Sequence, residues 1–197
     1  MTFEALENTT FTFSKNDLQY SIDNGVTWTT LAKGTASPTI NAGNKILWKQ
    51  TGLISNGIGT FSSTGNFIVY GNVMSLYYGD NFIGQTDLTG KNFAFRRLFK
   101  DCNLINAKNL ILPATILTNN CYECMFESCA SLTSAPELPA TTLADSCYAN
   151  MFVNCTSLTT PPVLPATTLA DGCYYSMFDN CTSLTTAPIL SVTTLTS

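Results

Sequence analysis

The chain contains no histidine. That absence removes the Ser-His-Asp and Cys-His arrangements, which need an imidazole to take up the proton of the nucleophile. The sequence also lacks a Gly-x-x-x-x-Gly-Lys-Ser/Thr loop and a Gly-x-Gly-x-x-Gly turn, so neither common phosphate cradle is present. Charge is scarce: Asp, Glu, Lys and Arg make up 11% of the residues, against roughly 25% in an ordinary soluble domain. Basic residues stop at Lys108, while six acids follow it (Glu123, Glu127, Glu137, Asp145, Asp171 and Asp179). A surface that must neutralise phosphates needs Lys and Arg, which excludes nucleic acid and anionic membrane as partners of this region. No apolar run approaches the ~20 residues of a membrane-spanning helix, so no membrane insertion is expected. Residues 1–6 have neither a basic stretch nor an apolar one and do not form a signal peptide. Either a leader is removed ahead of Met1 or the chain never takes the secretory route.

What is present divides at about residue 90. Residues 1–90 read as a β-rich domain. Leu18, Tyr20 and Ile22 alternate with polar neighbours, and Asn24-Gly25 then leads to Val26-Thr27-Trp28. Asn-Gly between alternating runs signals a hairpin, because a type I′ turn needs positive φ at both central residues. Phe67–Tyr70, Gly71-Asn72 and Val73–Tyr77 read as a second hairpin. Short strands are also expected at Phe11–Phe13, Lys45–Trp48 and Gly59–Phe61, and no useful helical period appears. The expected fold is a small antiparallel sandwich or barrel. Trp28 and Trp48 could stack on sugars, but aromatic residues on strands ordinarily fill cores.

Residues 91–197 are repetitive. Cys121–Cys129, Cys147–Cys155 and Cys173–Cys181 recur every 26 residues, and a degenerate copy runs from Ala94 to Cys102. A fixed period of this size predicts a solenoid, with a capping repeat at 94–120 and repeats at 121–146, 147–172 and 173–197. In the middle copy Asp145-Ser146 resembles a helix N-cap. Cys147, Met151 and Cys155 at i, i+4 and i+8, flanked by Tyr148 and Phe152, form one apolar stripe on a short helix. Leu158 should then lie on a short strand beside Leu132 and Leu184 that ends at Pro162. Each unit is therefore expected to be α/β. In the last copy Ser191-Val192 replaces Pro-Ala and no polar cap follows. An open apolar end is expected there, to be met by a further domain, a partner or self-association.

The eight cysteines suggest disulfides or a metal. On a helix, Cys147 and Cys155 would stand about 12 Å apart, too far for a disulfide, whose Cα atoms lie within about 7 Å. Neighbouring helices at roughly 8–10 Å are no better. Cys102, Cys121, Cys129, Cys147, Cys155, Cys173 and Cys181 therefore read as a ladder of buried free thiols acting as small hydrophobes. Cys121-x-x-Cys124 is half a zinc site at most, with no second pair and no histidine to complete it. No metal and no cofactor are expected.

Two carboxylates alone can hydrolyse glycosides, and Glu123 and Glu127 share a face at i and i+4. They occupy positions that vary between copies, however, and variable positions read as solvated surface. The chain is expected not to be an enzyme. Variable or outward positions are instead candidate ligand contacts: Thr133, Glu137, Thr159, Val163, Thr185 and Ile189 on one face, and Glu123, Tyr175 and Asp179 on another.

The run Met-Phe-x-x-Cys-x-Ser-Leu-Thr at 125–133, 151–159 and 177–185, with Leu-Pro-Ala-Thr-Thr-Leu at 138–143 and 164–169, resembles the BspA-like leucine-rich-repeat proteins of gut Bacteroidetes. The likeness covers residues 94–197, and residues 20–28 resemble the domain that precedes such repeats. It implies an α/β leucine-rich-repeat solenoid serving as a surface adhesin or binding module for a protein or carbohydrate ligand, at the cell surface or secreted. Related repeats in phage-encoded proteins imply the alternative of a fibre or capsid-attached virion component on a phage particle. The resemblance brings no catalytic residues with it.

Overall fold

A computed structural model describes residues 1–50, 52, 54 and 57–192; the last five residues of the 173–197 repeat lie outside it. The strands are β1 (Thr2–Ala5), β2 (Phe11–Phe13), β3 (Leu18–Ser21), β4 (Thr29–Leu31), β5 (Lys45–Lys49), β6 (Phe61–Ser63), β7 (Phe67–Asn72) and β8 (Leu104–Ile111). Six of them form one sheet in the order β4-β3-β5-β1-β7-β8, and β2 pairs with β6 in a second. All pairs are antiparallel except β7–β8, which is parallel. The expected purely antiparallel sandwich or barrel is thus a mixed sheet whose parallel edge strand comes from the repeat region. Phe3, Phe11, Phe61, Phe67 and Trp48 alternate inward along their strands and pack as one buried aromatic cluster.

Both expected hairpins change. Asn24 and Gly25 do take positive φ, 59° and 88°, but pairing resumes at Thr29 rather than Val26. The loop is held by its own side chains. Asp23 accepts the Thr27 N–H at 2.9 Å and its hydroxyl at 2.6 Å, and Ser21 Oγ accepts the Gly25 N–H at 2.8 Å. The Ser21 hydroxyl also donates to Asp23 Oδ1 at 2.6 Å, and this bond, followed by those from Thr27, holds the Asp23 carboxyl down at about 2. Gly71-Asn72 lies inside β7 and makes no turn. The next residues enter α1 (Ser75–Tyr78), the only α-helix among the described residues.

That helix count overturns the α/β leucine-rich-repeat solenoid. No repeat contains a helix, and none of the strands expected around Leu132, Leu158 and Leu184 forms among the described residues. Each copy is instead a ribbon of overlapping tight turns. In the third copy the N–H groups of Cys147, Ala149, Met151, Val153 and Cys155 reach the carbonyls three residues back. The N–H groups between them, from Ser146, Tyr148, Asn150, Phe152 and Asn154, reach the carbonyls of Asp171, Cys173, Tyr175, Met177 and Asp179 in the following copy at 2.8–3.0 Å. Every fourth residue sits at positive φ: Ser146 51°, Asn150 55° and Asn154 60°, the third position of a turn of type II geometry. Asp145-Ser146 therefore caps no helix.

A four-residue turn period places side chains at i, i+4 and i+8 on one face, as a helix does, so the apolar stripe alone cannot separate the two. Five of the nine positive-φ positions between 120 and 180 can. Asn120, Asn150, Asn154, Gly172 and Asn180 belong to the types that reach this region at least cost. Asn150 makes no side-chain hydrogen bond among the described residues, so its contribution is conformational. We expect Asn150→Val to lose about 1–2 kcal/mol in urea unfolding and Asn150→Gly to stay close to the parent, because a β-branched residue is excluded from this conformation.

Equivalent rings stack down the copies. Phe61, Phe99, Phe126, Phe152 and Phe178 form one column with centroids 5.4–6.1 Å apart. Phe95, Tyr122, Tyr148 and Tyr174 form a second at 5.5–6.0 Å. The first column starts on Phe61 of β6, so the β sheets and the turn ribbons share one core.

Candidate binding groove

The face opposite the turn ribbons is built on a short constant unit. Pro136-Glu137-Leu138-Pro139, Pro162-Val163-Leu164-Pro165 and Pro188-Ile189-Leu190-Ser191 share the pattern Pro-x-Leu, followed by proline in the first two and serine in the third. Leu138 and Leu164 are buried and anchor the unit, and proline fixes φ on either side. Backbone bonds hold successive units in register: Thr167 N–H to Thr141 carbonyl at 2.9 Å and Leu164 N–H to Ile189 carbonyl at 3.2 Å. Going back 26 residues from Glu137 reaches Ile111, the last residue of β8. The four variable side chains all face solvent: Glu137 is exposed, and Ile111, Val163 and Ile189 expose 52%, 60% and 69% of their surface.

Two adjoining hollows of about 570 and 490 Å³ are lined by Ile111, Glu137 and Val163 of this row and share Lys108, Asn109, Glu137 and Pro139, while Ile189 lies beyond them. Their walls are proline rings and aliphatic chains, with Pro113 at one end and Pro162 and Pro165 at the other. The ion pairs among the described residues join Glu4 to Lys45, Asp80 to Lys49, Glu123 to Arg96 and Glu127 to Lys100. Lys108 and Glu137 enter none of them. The groove thus carries one cation and one carboxylate that form no ion pair among the described residues, on an apolar floor that can give up water.

The other expected contact positions fall in different places. Thr133, Thr159 and Thr185 are exposed, but the Thr133 hydroxyl donates to the Ile105 carbonyl at 2.9 Å and the Thr185 hydroxyl to the Thr159 carbonyl at 3.4 Å. Those two hydroxyls tie neighbouring layers together. Glu123, Tyr175 and Asp179 lie on the turn ribbons, away from the groove residues in sequence and face. Tyr175 and Asp179 are exposed. Glu123 is half-buried, with Oε2 2.8 Å from Arg96 Nε. Glu127 lies 2.8 Å from Lys100 Nζ. Burial alone would push the Glu127 carboxyl up, but the Lys100 ammonium, the Cys124 thiol and the Arg97 charge outweigh it and hold the carboxyl below its usual range. The two carboxylates weighed for hydrolysis are therefore clasps between the first and second copies.

All eight cysteines are buried and free. Cys102, Cys129, Cys155 and Cys181 donate from Sγ to the carbonyls of Phe61, Phe99, Phe126 and Phe152 at 2.9–3.1 Å. Each thiol thereby fills the second lone pair of a carbonyl in the layer before it. Cys121, Cys147 and Cys173 form the other file beside the tyrosine column. Burial pushes the Cys102 and Cys147 thiols up to about 12 and raises Cys121, Cys129 and Cys155 as well, so the thiolate needed for nucleophilic or metal chemistry is suppressed. No group of three His, Cys, Asp or Glu residues among the described residues could hold a metal ion, and no helix is long and apolar enough to cross a membrane. Of the tryptophans, Trp48 is in the core. Trp28 is half-buried, donates to the Gly25 carbonyl at 3.1 Å and is covered by the Lys49 ammonium 4.1 Å from its ring centre.

Sequence reasoning missed Ile111, Lys108 and Asn109. The signal for Ile111 was available by carrying the 26-residue register back one copy. Lys108 and Asn109 lie in β8, which the repeats do not foreshadow. No family model matches the chain, and no curated protein or solved structure does either.

Proposed function

We propose that the chain is a non-enzymatic binding module that recognises a protein through the proline-walled groove, in the manner of a surface adhesin. The supporting observation is the row Ile111, Glu137, Val163 and Ile189: four exposed side chains, one acidic and three aliphatic, each preceding the leucine of a recurring unit. Repeat proteins use this arrangement to set specificity without disturbing their core. An extended peptide suits the groove better than a glycan. Its walls present aliphatic and proline surface to apolar side chains and a separated pair of charges to fix direction, and they carry no aromatic face of the kind sugars stack on. Peptides selected from a random display library on the intact protein should lose at least tenfold in affinity on Val163→Asp and on Glu137→Lys, with the melting temperature unchanged. Selected peptides that bind both variants as tightly as the parent, or a glycan array giving the only hits, would contradict this reading.

A further inference from the structure

The turn ribbons have a direction. In each layer alternate N–H groups point to the layer that follows, and alternate carbonyls point back to the layer before. At the leading pole two of these carbonyls are already taken by residues of the first domain. The Ala94 carbonyl accepts the Ile58 N–H at 3.1 Å and the Tyr77 hydroxyl at 3.2 Å, and the Leu98 carbonyl accepts the Phe61 N–H at 2.8 Å. At the trailing pole the corresponding donors, the N–H groups of Gly172, Tyr174, Ser176, Phe178 and Asn180, have no partner among the described residues.

The side chains at that pole are also half-matched. Tyr174 and Phe178 stack on Tyr148 and Phe152, at 6.0 and 5.6 Å, through one face each. Beside them is a hollow of about 440 Å³ bordered by Leu164, Met177, Pro188 and Leu190. Asn180 Nδ2 donates back to Asn154 Oδ1 at 2.8 Å, and its own Oδ1 accepts nothing among the described residues. Asp179 occupies the register position of Glu127, which pairs with a lysine of an adjacent layer at 2.8 Å.

We infer that this pole is a docking surface for a polypeptide layer of the same chemistry. The layer presents carbonyls on alternate residues to the free donors, aromatic rings that continue the two columns, and a Lys or Arg opposite Asp179. Polarity argues against a second copy of this chain. A two-fold pairing sets donors against donors and Asp179 in like-charged surroundings, and a head-to-tail pairing meets a carbonyl row in which Ala94 and Leu98 already accept from Ile58, Phe61 and Tyr77. An unpaired row of this kind is a template for backbone pairing, and stacking one more layer is the way each internal row is satisfied. The inference does not depend on the groove.

The test is a peptide of residues 146–171 carrying Val153→Lys, titrated into the intact chain while its amide resonances are followed. The substituted position lies in register with Asp179. One-to-one binding that shifts the Tyr174, Ser176 and Phe178 amides is expected, with at least a tenfold loss at low salt when position 153 of the peptide is Glu. Asp179→Lys in the protein, a surface change that leaves the fold intact, should reverse that preference. Phe178→Glu should abolish binding. No binding at millimolar peptide, or binding indifferent to both protein variants, would overturn the inference. So would a dimer of the protein alone that Phe178→Glu dissociates, which would assign the face to a second copy.

Discussion

Raising the pH from 8 to 10.5 should unfold the protein. Five thiols, Cys102, Cys121, Cys129, Cys147 and Cys155, are deeply buried, and that burial lifts their ionisation well above the usual range, to about 12 for Cys102 and Cys147. In the unfolded chain a thiol ionises near 8.5. Between these limits the unfolded state has released protons that the folded state still holds, so stability falls as pH rises. Below the unfolded value the contribution is fully present and stability is insensitive to these groups. Each thiol loses about 1.4 kcal/mol per pH unit above that value, or roughly 2–3 kcal/mol by pH 10.5. Five together lose about 10–15 kcal/mol, comparable to the ~5–15 kcal/mol that holds a typical domain. Tyr122 and Tyr148, raised by burial, add to the loss above pH 10. Circular dichroism and tryptophan emission followed against pH should show a cooperative transition between pH 9 and 11. A protein still folded at pH 12 would show that the sulfurs are in contact with water.

The second large effect separates the middle of a ring column from its end. Phe152 is fully buried between Phe126 at 5.4 Å and Phe178 at 5.6 Å, with both pairs within 3° of parallel. Phe152→Ala removes a large side chain from a site walled by layers that cannot collapse without breaking their backbone bonds. It should cost about 3–5 kcal/mol. Phe178 has one stacking neighbour and is half-exposed, so Phe178→Ala should cost less than half as much. Urea unfolding of the two variants gives the comparison. Equal losses would mean that the rings do not form a column.

The inward rows of the repeats were legible in the sequence because Cys147, Met151, Cys155, Tyr148 and Phe152 recur unchanged. The backbone that carries them was not. A helix and a ribbon of tight turns both repeat their faces every four residues, and apolar spacing reports only the face. Asn150, Asn154 and Asn180 were the better evidence, since asparagine suits positive φ, although Cys124, Ser128, Ser146 and Ser176 hold equivalent positions without that signal. In the first domain, strand placement followed from alternation at Leu18–Ser21 and Lys45–Lys49. Gly71-Asn72 misled because a turn-favouring pair can also sit within a strand. In the groove, Glu137, Val163 and Ile189 stand out once the copies are aligned. The pairing of Glu123 with Arg96 was hidden because it depends on the first copy, whose register is one residue longer. Lys108 is placed by the parallel pairing of β8 with β7, a long-range contact that no local pattern encodes.

Amide hydrogen exchange, read residue by residue over 146–180, tests the alternating turn ribbon most directly. In the third copy every amide from Ser146 to Cys155 should be protected, since odd-numbered ones bond within the turn and even-numbered ones to the next layer. In the last copy protection should alternate: Tyr175, Met177 and Asp179 slow, Tyr174, Ser176 and Phe178 fast. A run of uniformly protected amides through 173–180, as a helix would give, would contradict the account.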